Sequence, residues 1–283
     1  MSFTLRAVRA KPFLKWVGGK RKLLSHFKEA YPSNFNNYLE PFVGGGAVFF
    51  NLLPEKAVLN DVNNTLIEAY KDIRDNLDEL CKLLFYIEKE YLDLEEEGRK
   101  EYFYNKRDYF NSLNDGDVER TAFLVFLNKT CFNGLYRVNS SGEFNVPHGR
   151  YKNPTIFDKE NLYAVSEALQ NVGLTSTDFE DILEEAKEGD FVYFDPPYDP
   201  LNETSNFTSY SKNGFGKNDQ TRLRDTFDKL TKKGCKVMLS NSNTKFINDL
   251  YKDYFIHNVK AARSINSKGN KRGKIKEVIV TNY

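Results

Sequence analysis

The chain has 283 residues, of which 40% are hydrophobic and 29% charged, a composition typical of a folded globular protein rather than a disordered one. No apolar run reaches the roughly 18 residues of a membrane span, and the first residues lack the apolar segment of a secretion signal, so a cytoplasmic protein without membrane contact is expected. Three cysteines lie far apart among only three histidines, which argues against a disulfide framework and against a metal site.

The net charge of +1 conceals an uneven distribution of charge along the chain. Residues 1–28 carry eight Lys or Arg and no acid, and residues 260–283 carry seven against one acid, whereas residues 55–101 carry fourteen acids and seven bases. Such asymmetry is typical of a protein with one basic face for phosphate groups. Solvated chain ends would have the same composition, so both interpretations stay open.

Short apolar runs alternate with longer helical patterns along most of the chain. Seven runs predict strands, at Tyr38–Phe42, Ala57–Asn60, Leu174–Thr177, Phe191–Phe194, Lys236–Ser240, Phe255–Val259 and Lys276–Thr281. Amphipathic stretches between them predict helices, at Asn63–Asn76, Asp158–Asn171, Phe179–Glu188 and Asn218–Lys233. This alternation predicts an α/β fold with a mostly parallel sheet and helices on both faces. The last two strands are close enough in sequence to form an antiparallel pair at one edge.

The segment between Leu77 and Pro154 interrupts the alternation. Residues 77–117 are charged with helical periodicity, Arg120–Cys131 predicts an apolar helix, and Phe132–Pro154 is rich in Gly, Asn, Ser and aromatic residues, which predicts hairpins and loops. We therefore expect an α/β domain of residues 1–63 and 156–283, and an inserted, mainly helical domain of residues 64–155 that ends in the loop 132–154.

A glycine cluster, EPFVGGGA at Glu40–Ala47, follows the first predicted strand. Glycines at the carboxyl end of a strand let a ligand approach the backbone, and the G-x-G-x-x-G spacing of a dinucleotide site is missing. The second strand ends in Asp61, and an acid at that place binds the hydroxyl pair of a ribose. A nucleoside ligand is therefore expected, although Asp61 could instead cap the helix that begins at Asn63.

The single tryptophan of the chain lies in PFLKWVGGKR, at Pro12–Arg21. Two interpretations stay open. The segment is either an N-terminal strand and a glycine turn leading to a surface helix, or part of a ligand site in which Trp16 forms a wall and Lys20 neutralises a carboxylate.

The fourth predicted strand runs directly into Asp195-Pro196-Pro197-Tyr198. Proline donates no backbone hydrogen bond and ends the strand, while the proline carbonyls remain available as acceptors. The Asp195 carboxylate and the Pro196 carbonyl could accept both N–H groups of an adenine amino group, with Tyr198 stacked on the base. If the adenine belongs to double-stranded DNA, its amino group lies inside the duplex, and the base would first have to be rotated out. An ordinary strand-to-turn connection is the alternative.

Several long segments together resemble the Dam-type (DpnII-like) DNA adenine-N6 methyltransferases that recognise GATC, the alpha group of the D12 class. The resemblance extends over essentially the whole chain. It rests on FLKWVGGKRKLL (Phe13–Leu24), YLEPFVGGGAVFFNL (Tyr38–Leu52), LNDVN (Leu59–Asn63), FNGLYRVNSSGEFNVPHGRYKNP (Phe132–Pro154), FVYFDPPYDPL (Phe191–Leu201) and SNFTSY (Ser205–Tyr210).

The resemblance implies methylation of adenine N6 in double-stranded DNA at GATC, with S-adenosylmethionine as cofactor, and a Rossmann-like methyltransferase sheet. It implies a catalytic motif at Asp195, Pro196, Pro197 and Tyr198. The residues that it implies for the cofactor are Trp16, Lys20, Phe42, Gly44, Gly46, Asp61, Asp178, Phe179 and Asp195.

The resemblance also places a DNA-recognition loop at Phe132–Pro154. Arg137 would read a guanine edge, Leu135 and Pro147 would contact a thymine methyl group, and Asn133 would lie where the base is extruded. Phe132 replaces a tyrosine of some members and would serve as the apolar wedge. Lys15 would reach the outer guanine.

Other functions stay open at this point. The same chemistry could act on another DNA sequence, on cytosine N4 or on RNA. A nicotinamide oxidoreductase and a non-catalytic DNA-binding protein are the alternatives from other classes. The expected partner is double-stranded DNA; a cognate restriction endonuclease and the choice between a monomer and a weak dimer are left undecided.

Overall fold

The computed structural model of the chain describes residues 8–20, 23–201, 214–262 and 274–283. The SNFTSY segment at Ser205–Tyr210, on which part of the resemblance rests, lies outside these residues. The described residues form two compact units. Unit 1 comprises those within Met1–Gly19, Gly44–Leu53 and Asn63–Leu174, and unit 2 comprises those within Lys20–Val43, Pro54–Val62 and Thr175–Tyr283.

Helices and strands alternate in the first and last parts of the chain, and helices alone fill its middle. In chain order the elements are α1 (Leu24–Ala30), β1 (Tyr38–Glu40), α2 (Phe49–Leu52), β2 (Ala57–Asn60), α3 (Asn64–Asp75), α4 (Leu77–Leu92), α5 (Glu96–Ser112), α6 (Val118–Thr130), α7 (Lys159–Leu169), β3 (Val172–Thr175), α8 (Ile182–Glu185), β4 (Phe191–Phe194), α9 (Lys217–Lys232), β5 (Lys236–Ser242), α10 (Lys245–Leu250), β6 (Phe255–Ala262) and β7 (Lys274–Thr281). Single 3₁₀ turns lie at Phe132–Gly134 and Phe179–Asp181.

The seven strands form one sheet in the order β3-β2-β1-β4-β5-β7-β6. The pairs β1–β2, β1–β4 and β4–β5 are parallel, and β7 is antiparallel to both of its neighbours. The α/β fold predicted from the alternation of strands and helices is thus confirmed, as is the antiparallel pair at one edge. The parallel strands end at the same edge of the sheet, and the residues that follow them meet there.

The position of β4 in the middle of the sheet explains why the fourth predicted strand is a continuous run of apolar residues. All four residues of β4 are buried, and Val192 and Phe194 share a core with Leu223, Phe227 and Leu230 of α9. Each such side chain contributes roughly 1.5–3 kcal/mol through removal of its surface from water. A strand buried on both faces carries no polar alternation, which is the pattern expected in a parallel sheet.

Apart from β2 and β4, the predicted strands and helices differ from the observed ones by one to three residues at one or both ends, and two of these differences have a local cause. The third strand ends at Thr175 rather than Thr177, because the amide and hydroxyl groups of Thr177 donate to the Asn60 side chain. The helix predicted at Phe179–Glu188 is a 3₁₀ turn followed by the four residues of α8. It stops early because the carboxylate of Asp190 accepts from the amide of Lys187 and holds the chain in a turn before β4.

The helix α10 does not follow from the apolar periodicity. It has six residues, fewer than two turns, and such a length gives no readable repeat. Its start is fixed locally, since the Thr244 hydroxyl accepts from the amide of Ile247 at 3.2 Å.

Unit 1 is mainly helical and is built around α6. Nine residues of α6 are buried, among them Phe123 and Phe126, because α3, α4 and α5 all contact this helix. The charged segment predicted as helical forms α4 and α5, which expose their charged faces. The functional division into an S-adenosylmethionine-binding domain and a DNA-recognition domain of residues 64–155 stays a prediction. Among the described residues, no helix is both long and apolar enough to span a bilayer.

Candidate functional site

The first residue after β4 is Asp195, and one of its two carboxylate oxygens is fully engaged. Its Oδ1 lies 2.7 Å from Nζ of Lys20 and accepts a hydrogen bond of 3.0 Å from Oγ of Ser240 on β5. From the residues that the structure describes, Oδ2 accepts no hydrogen bond. Burial raises the pKa of the Asp195 carboxyl above its usual value, and Lys20 and Ser240 act in the opposite direction. The side chain of Lys20 is only 6% exposed, so its ammonium group depends on this partner.

The two prolines after Asp195 differ in the use of their carbonyls. The Pro197 carbonyl accepts from Nε2 of Gln220 at 2.9 Å, and Oε1 of Gln220 accepts in turn from Asn241 at 3.0 Å. The Pro196 carbonyl accepts no hydrogen bond within the described part of the chain. The prediction that the proline carbonyls stay available is therefore wrong for Pro197, whose carbonyl fixes the turn, while that of Pro196 can still accept.

The ring of Tyr198 is held at its hydroxyl and on its face. The hydroxyl donates to Oε2 of Glu277 on β7 at 3.0 Å, and Nζ of Lys20 lies 4.5 Å from the ring centroid. Burial raises the pKa of Glu277 above its usual value, whereas Lys20 and the Tyr198 hydroxyl lower it. Sequence reasoning missed Glu277; the available signal was an acid at the start of the apolar run EVIV.

The ends of β1 and β2 are joined by the buried side chain of Asn60. Its amide nitrogen donates to the carbonyls of Pro41 and Thr177, and its oxygen accepts from Thr175 and Thr177. The next residue, Asp61, donates its backbone N–H to the carbonyl of Thr175 at 3.3 Å. A buried polar side chain that ends an apolar strand was the signal for Asn60, which was also missed.

The alternative role of Asp61 as a helix cap is wrong. The cap of α3 is Asn63, whose Oδ1 accepts from the amide of Leu66 at 3.3 Å. The N-cap of α3 is thus Asn63 rather than Asp61.

A third group of predicted cofactor residues lies at the 3₁₀ turn after β3. The rings of Phe42 and Phe179 stack at 5.4 Å, and Phe215 contacts both of them edge-on or tilted. Asp178 is exposed, accepts from the amide of Glu180 and pairs with Nη2 of Arg222 at 2.8 Å. The guanidinium group of Arg222 also lies 4.8 Å from the centroid of the Phe179 ring. The arrangement leaves a carboxylate at the surface beside an aromatic cluster.

In unit 1, Trp16 packs directly on the glycine cluster. A Cβ atom on Gly44, whose φ is +47°, would lie 2.8 Å from Cδ1 of Trp16, and one on Gly46, at φ +67°, would lie 2.7 Å from the hydroxyl of Tyr70. That hydroxyl donates to the carbonyl of Gly44 at 3.0 Å. Both positions therefore require glycine for conformation and for space.

The predicted recognition loop begins directly after α6 and is folded by its own contacts. Phe132 is 52% exposed, and its amide donates to the carbonyl of Pro147 at 2.8 Å. Asn133 and Gly134 both have positive φ, which turns the chain sharply before the half-buried Leu135. The loop therefore presents an exposed aromatic ring next to a tight turn.

Arg137, in the same loop, is exposed and oriented by one neighbour. Its Nε donates to Oδ1 of Asn145 at 2.7 Å, and its Nη2 donates to the Asn145 carbonyl at 3.1 Å. Lys15 belongs to the same unit, and its Nζ lies 4.7 Å from the ring centroid of Tyr151. The structure thus brings Lys15 to the loop, although the two are far apart in sequence.

Several of the predicted site residues are in contact with one another. Lys20 contacts both Asp195 and Tyr198, Phe42 contacts Phe179, Trp16 packs against Gly44, and Lys15 contacts the loop. The roles assigned to these residues stay predictions. In the described part of the chain, no three His, Cys, Asp or Glu side chains are grouped as metal ligands would be.

Comparison with known proteins identifies the family. The model of the D12 class N6 adenine-specific DNA methyltransferases matches residues 16–265. The chain belongs to this family. It is therefore an adenine-specific DNA methyltransferase, and the motif after β4 lies within the matched residues.

Relatives of this D12 methyltransferase match it along nearly their whole length. The Type II methyltransferase M.MjaIII of Methanocaldococcus jannaschii is 50% identical over 289 residues, 98% of this chain and 100% of the relative. The Type II methyltransferase M1.LlaDCHI of Lactococcus lactis subsp. cremoris is 49% identical over 98% of this chain and 96% of the relative. The DNA adenine methylase of Haemophilus influenzae is 37% identical over 96% and 93%.

The contact between Gly44 and Trp16 predicts a fluorescence change in the D12 methyltransferase. Gly44→Ala combines a left-handed backbone, which costs roughly 1–2 kcal/mol, with a collision against Trp16. Because Trp16 is the only tryptophan, its displacement should shift the emission maximum of the folded protein.

Gly142→Ala is the matched control, because Gly142 has φ +86° but no atom within 4 Å of the added Cβ. It should have a similar backbone cost and an unchanged emission maximum. Equal emission from the wild type and both variants would contradict the packing of Trp16 on Gly44.

Proposed function

We propose that this protein transfers a methyl group from S-adenosylmethionine to N6 of adenine in double-stranded DNA, at GATC sites, after rotation of the adenine out of the duplex. The observation that carries the proposal is the arrangement after β4. There Oδ2 of Asp195 and the carbonyl of Pro196 accept no hydrogen bond from the described residues, next to the fixed ring of Tyr198.

The chemical task explains why two acceptors are needed. The amino group of adenine is a poor nucleophile, because its lone pair is delocalised into the ring. Asp195 and Pro196 would accept one N–H each and draw the nitrogen toward tetrahedral geometry, which frees the lone pair. Holding the reacting atoms in this geometry supplies much of the rate. Lys20 and Ser240 support this role, since both bind Oδ1, orient the carboxylate and lower its pKa against the effect of burial.

Tyr198 would stack on the extruded adenine. Stacking of a base on an aromatic side chain contributes roughly 1–3 kcal/mol, and it requires a ring that keeps its orientation. The hydrogen bond to Glu277 and the contact with Lys20 restrict this ring before any base arrives. An enzyme that acts on an atom inside a duplex must extrude the base, and a prepared stacking surface reduces the free-energy cost of that step.

The residues assigned to S-adenosylmethionine fit such a group. Asp61 is a carboxylate at a strand end, suited to ribose hydroxyls, and Asp178 with Phe179 offers an exposed acceptor beside aromatic rings. Gly44 and Gly46 leave no room for side chains on a backbone next to Trp16 and Tyr70. Phe42, Lys20 and Asp195 complete the proposed set. When bound, S-adenosylmethionine supplies a methyl group on a sulfonium, an electrophile that requires no metal.

The sequence preference is assigned to the loop Phe132–Pro154 and to Lys15. We propose that Arg137 reads a guanine edge, that Leu135 and Pro147 contact a thymine methyl group, and that Phe132 and Asn133 act where the base leaves the stack. The exposure of Phe132 and the orientation of Arg137 by Asn145 support these roles.

The names of the relatives also support a role in restriction–modification. The two relatives at 49–50% identity are named Type II methyltransferases, and the relative at 37% is named DNA adenine methylase. We propose that a cognate endonuclease recognises the same DNA sequence as this enzyme.

A protection assay tests the reaction, the base and the site together. Plasmid from a host without adenine methylation is incubated with the protein and S-adenosylmethionine, then digested with one endonuclease that GATC methylation blocks and one that requires it. We expect resistance to the first and cleavage by the second. Methyl incorporation without a change in either digest would refute the GATC assignment and leave the chemistry intact.

The ion pair between Lys20 and Asp195 predicts a pH dependence. Asp195 must be ionised to accept the amino group, so kcat should fall as the pH drops through its pKa. Since Lys20 lowers this pKa, Lys20→Gln should move the acidic limb of the kcat profile to higher pH.

The kcat profile is measured at saturating S-adenosylmethionine, so that weaker binding of the cofactor does not lower the measured rate. Lys28→Gln, at an exposed lysine of the same unit, should leave the limb in place, and Asp195→Ala marks the inactive limit. An acidic limb that does not move in Lys20→Gln would exclude Asp195 as the titrating group.

Arg137→Ala tests the reading of a base by the loop. Loss of a bidentate contact to guanine should reduce discrimination against the altered base pair by roughly 1–3 kcal/mol. The measurement is kcat/KM on duplexes with each base pair of the site changed in turn. Lys152→Ala, an exposed lysine of the same loop, should keep the base preference. If Arg137→Ala weakens all duplexes equally, the residue contacts only phosphate.

A further inference from the structure

The side chain of Asn128 is buried in α6 and connects two segments assigned to DNA recognition. Its Oδ1 accepts from the amide of Lys15 at 2.8 Å, and its Nδ2 donates to the carbonyl of Lys15 at 2.8 Å and to that of Gly134 at 3.1 Å. The residue has no exposed surface. A buried amide is costly unless it is hydrogen-bonded, and Asn128 places both of its N–H groups and its oxygen on these two backbones.

The side chain of Lys15 lies against the same turn of the loop. A Cβ atom on Gly134 would come within 2.8 Å of the Lys15 Cβ and closer still to its Cδ, so only glycine lets the lysine stem pass. Beyond the stem, Nζ lies 4.7 Å from the Tyr151 ring centroid. The backbone of Lys15 is therefore held by the buried Asn128, while its exposed side chain runs along the loop toward Tyr151.

These contacts fix the distance between Lys15 and the loop, and the reading of bases depends on this distance. Lys15 precedes the glycine cluster, and the loop follows α6, so nothing in the local sequence fixes their relative position. Asn128 holds the backbone of both within hydrogen-bond reach of a single amide group. Two readers of one DNA site must keep a constant spacing, because neighbouring base pairs are only about 3.4 Å apart.

We propose that Asn128 is a positioning residue for sequence specificity. It keeps Lys15 and the turn at Gly134 at a fixed distance from each other, so that both reach the same DNA recognition sequence. This inference rests on the proposed function, in which Lys15 and the loop read DNA. Asn128 itself does not contact the DNA, and its effect passes through Lys15.

The chain offers a matched control in Asn161. This asparagine, on α7 of the same unit, is 2% exposed and makes the same pair of hydrogen bonds to the backbone of Lys11, both of 3.0 Å. It has no hydrogen bond to the loop among the described residues. A comparison of the two asparagines therefore separates the loss of a buried backbone clamp from the loss of the link to Gly134.

The experiment measures discrimination by Asn128→Ala, Asn161→Ala, Lys15→Ala and the double variant of Lys15 and Asn128. For each protein, kcat/KM is determined on a GATC duplex and on a duplex whose outer G·C pair is replaced. The ratio of the two values is the readout, because the fraction of active protein cancels in it. A purely structural role would lower both values alike and leave the ratio unchanged.

We expect the ratio to fall about tenfold in Asn128→Ala and to stay at the wild-type value in Asn161→Ala. The double variant should discriminate as poorly as Lys15→Ala and no worse, since both changes remove the same contact. If Asn128→Ala does not fold, Asn128→Leu is used. It keeps the size of the side chain without adding a buried charge and loses the hydrogen bonds to Lys15 and Gly134, so the same loss of discrimination is expected.

Two results would overturn the inference in distinguishable ways. A wild-type enzyme that prefers GATC, together with an Asn128→Ala ratio equal to that of Asn161→Ala, would overturn the positioning role alone. A wild-type enzyme with no preference at the outer base pair would overturn the proposed function and this inference with it.

Discussion

The ion pair between the buried Lys20 and the half-buried Asp195 is the interaction on which the arrangement after β4 depends. Two charges taken out of water are stable only if their geometry is good and other hydrogen bonds complete it, and here Ser240 and the Tyr198 ring do so. The pair holds the carboxylate through Oδ1, while Oδ2 accepts no hydrogen bond from the described residues. Under the proposed function, the folded protein would thus orient the acceptor before the substrate arrives.

Asparagine side chains join segments that are distant in sequence at several places in this protein. Asn60 ties together the strand ends in unit 2, while Asn111 forms a two-bond clamp on the backbone of Phe144 in unit 1, similar to those of Asn128 and Asn161. A primary amide suits this task, because one side chain both donates and accepts without a charge. Asn60, Asn128 and Asn161 are buried, which makes their hydrogen bonds hard to exchange for water, whereas Asn111 is half-buried.

The sequence predicts much of this architecture because its main signals are local. Continuous apolar runs locate β2 and β4 with their observed bounds, and the motif after β4 identifies Asp195 and Tyr198. Glu277 and Asn128 were missed because their partners Tyr198 and Lys15 lie far away in the chain, and neither an acid at the start of a strand nor an amide in an apolar helix identifies its partner. The early end of the helix predicted at Phe179–Glu188 has the same cause, namely a turn fixed by Asp190.

The place of β7 inside the sheet has a consequence for protein synthesis. This strand is the last to be translated, yet it pairs with β5 on one side and β6 on the other, and it carries the acceptor for Tyr198. A nascent chain on the ribosome therefore holds two unpaired strand edges, which expose backbone groups to other chains, until β7 emerges. The hydrogen bond that holds the Tyr198 hydroxyl forms only when β7 is present, so a chain without β7 has Asp195 but lacks this restraint on the ring beside it.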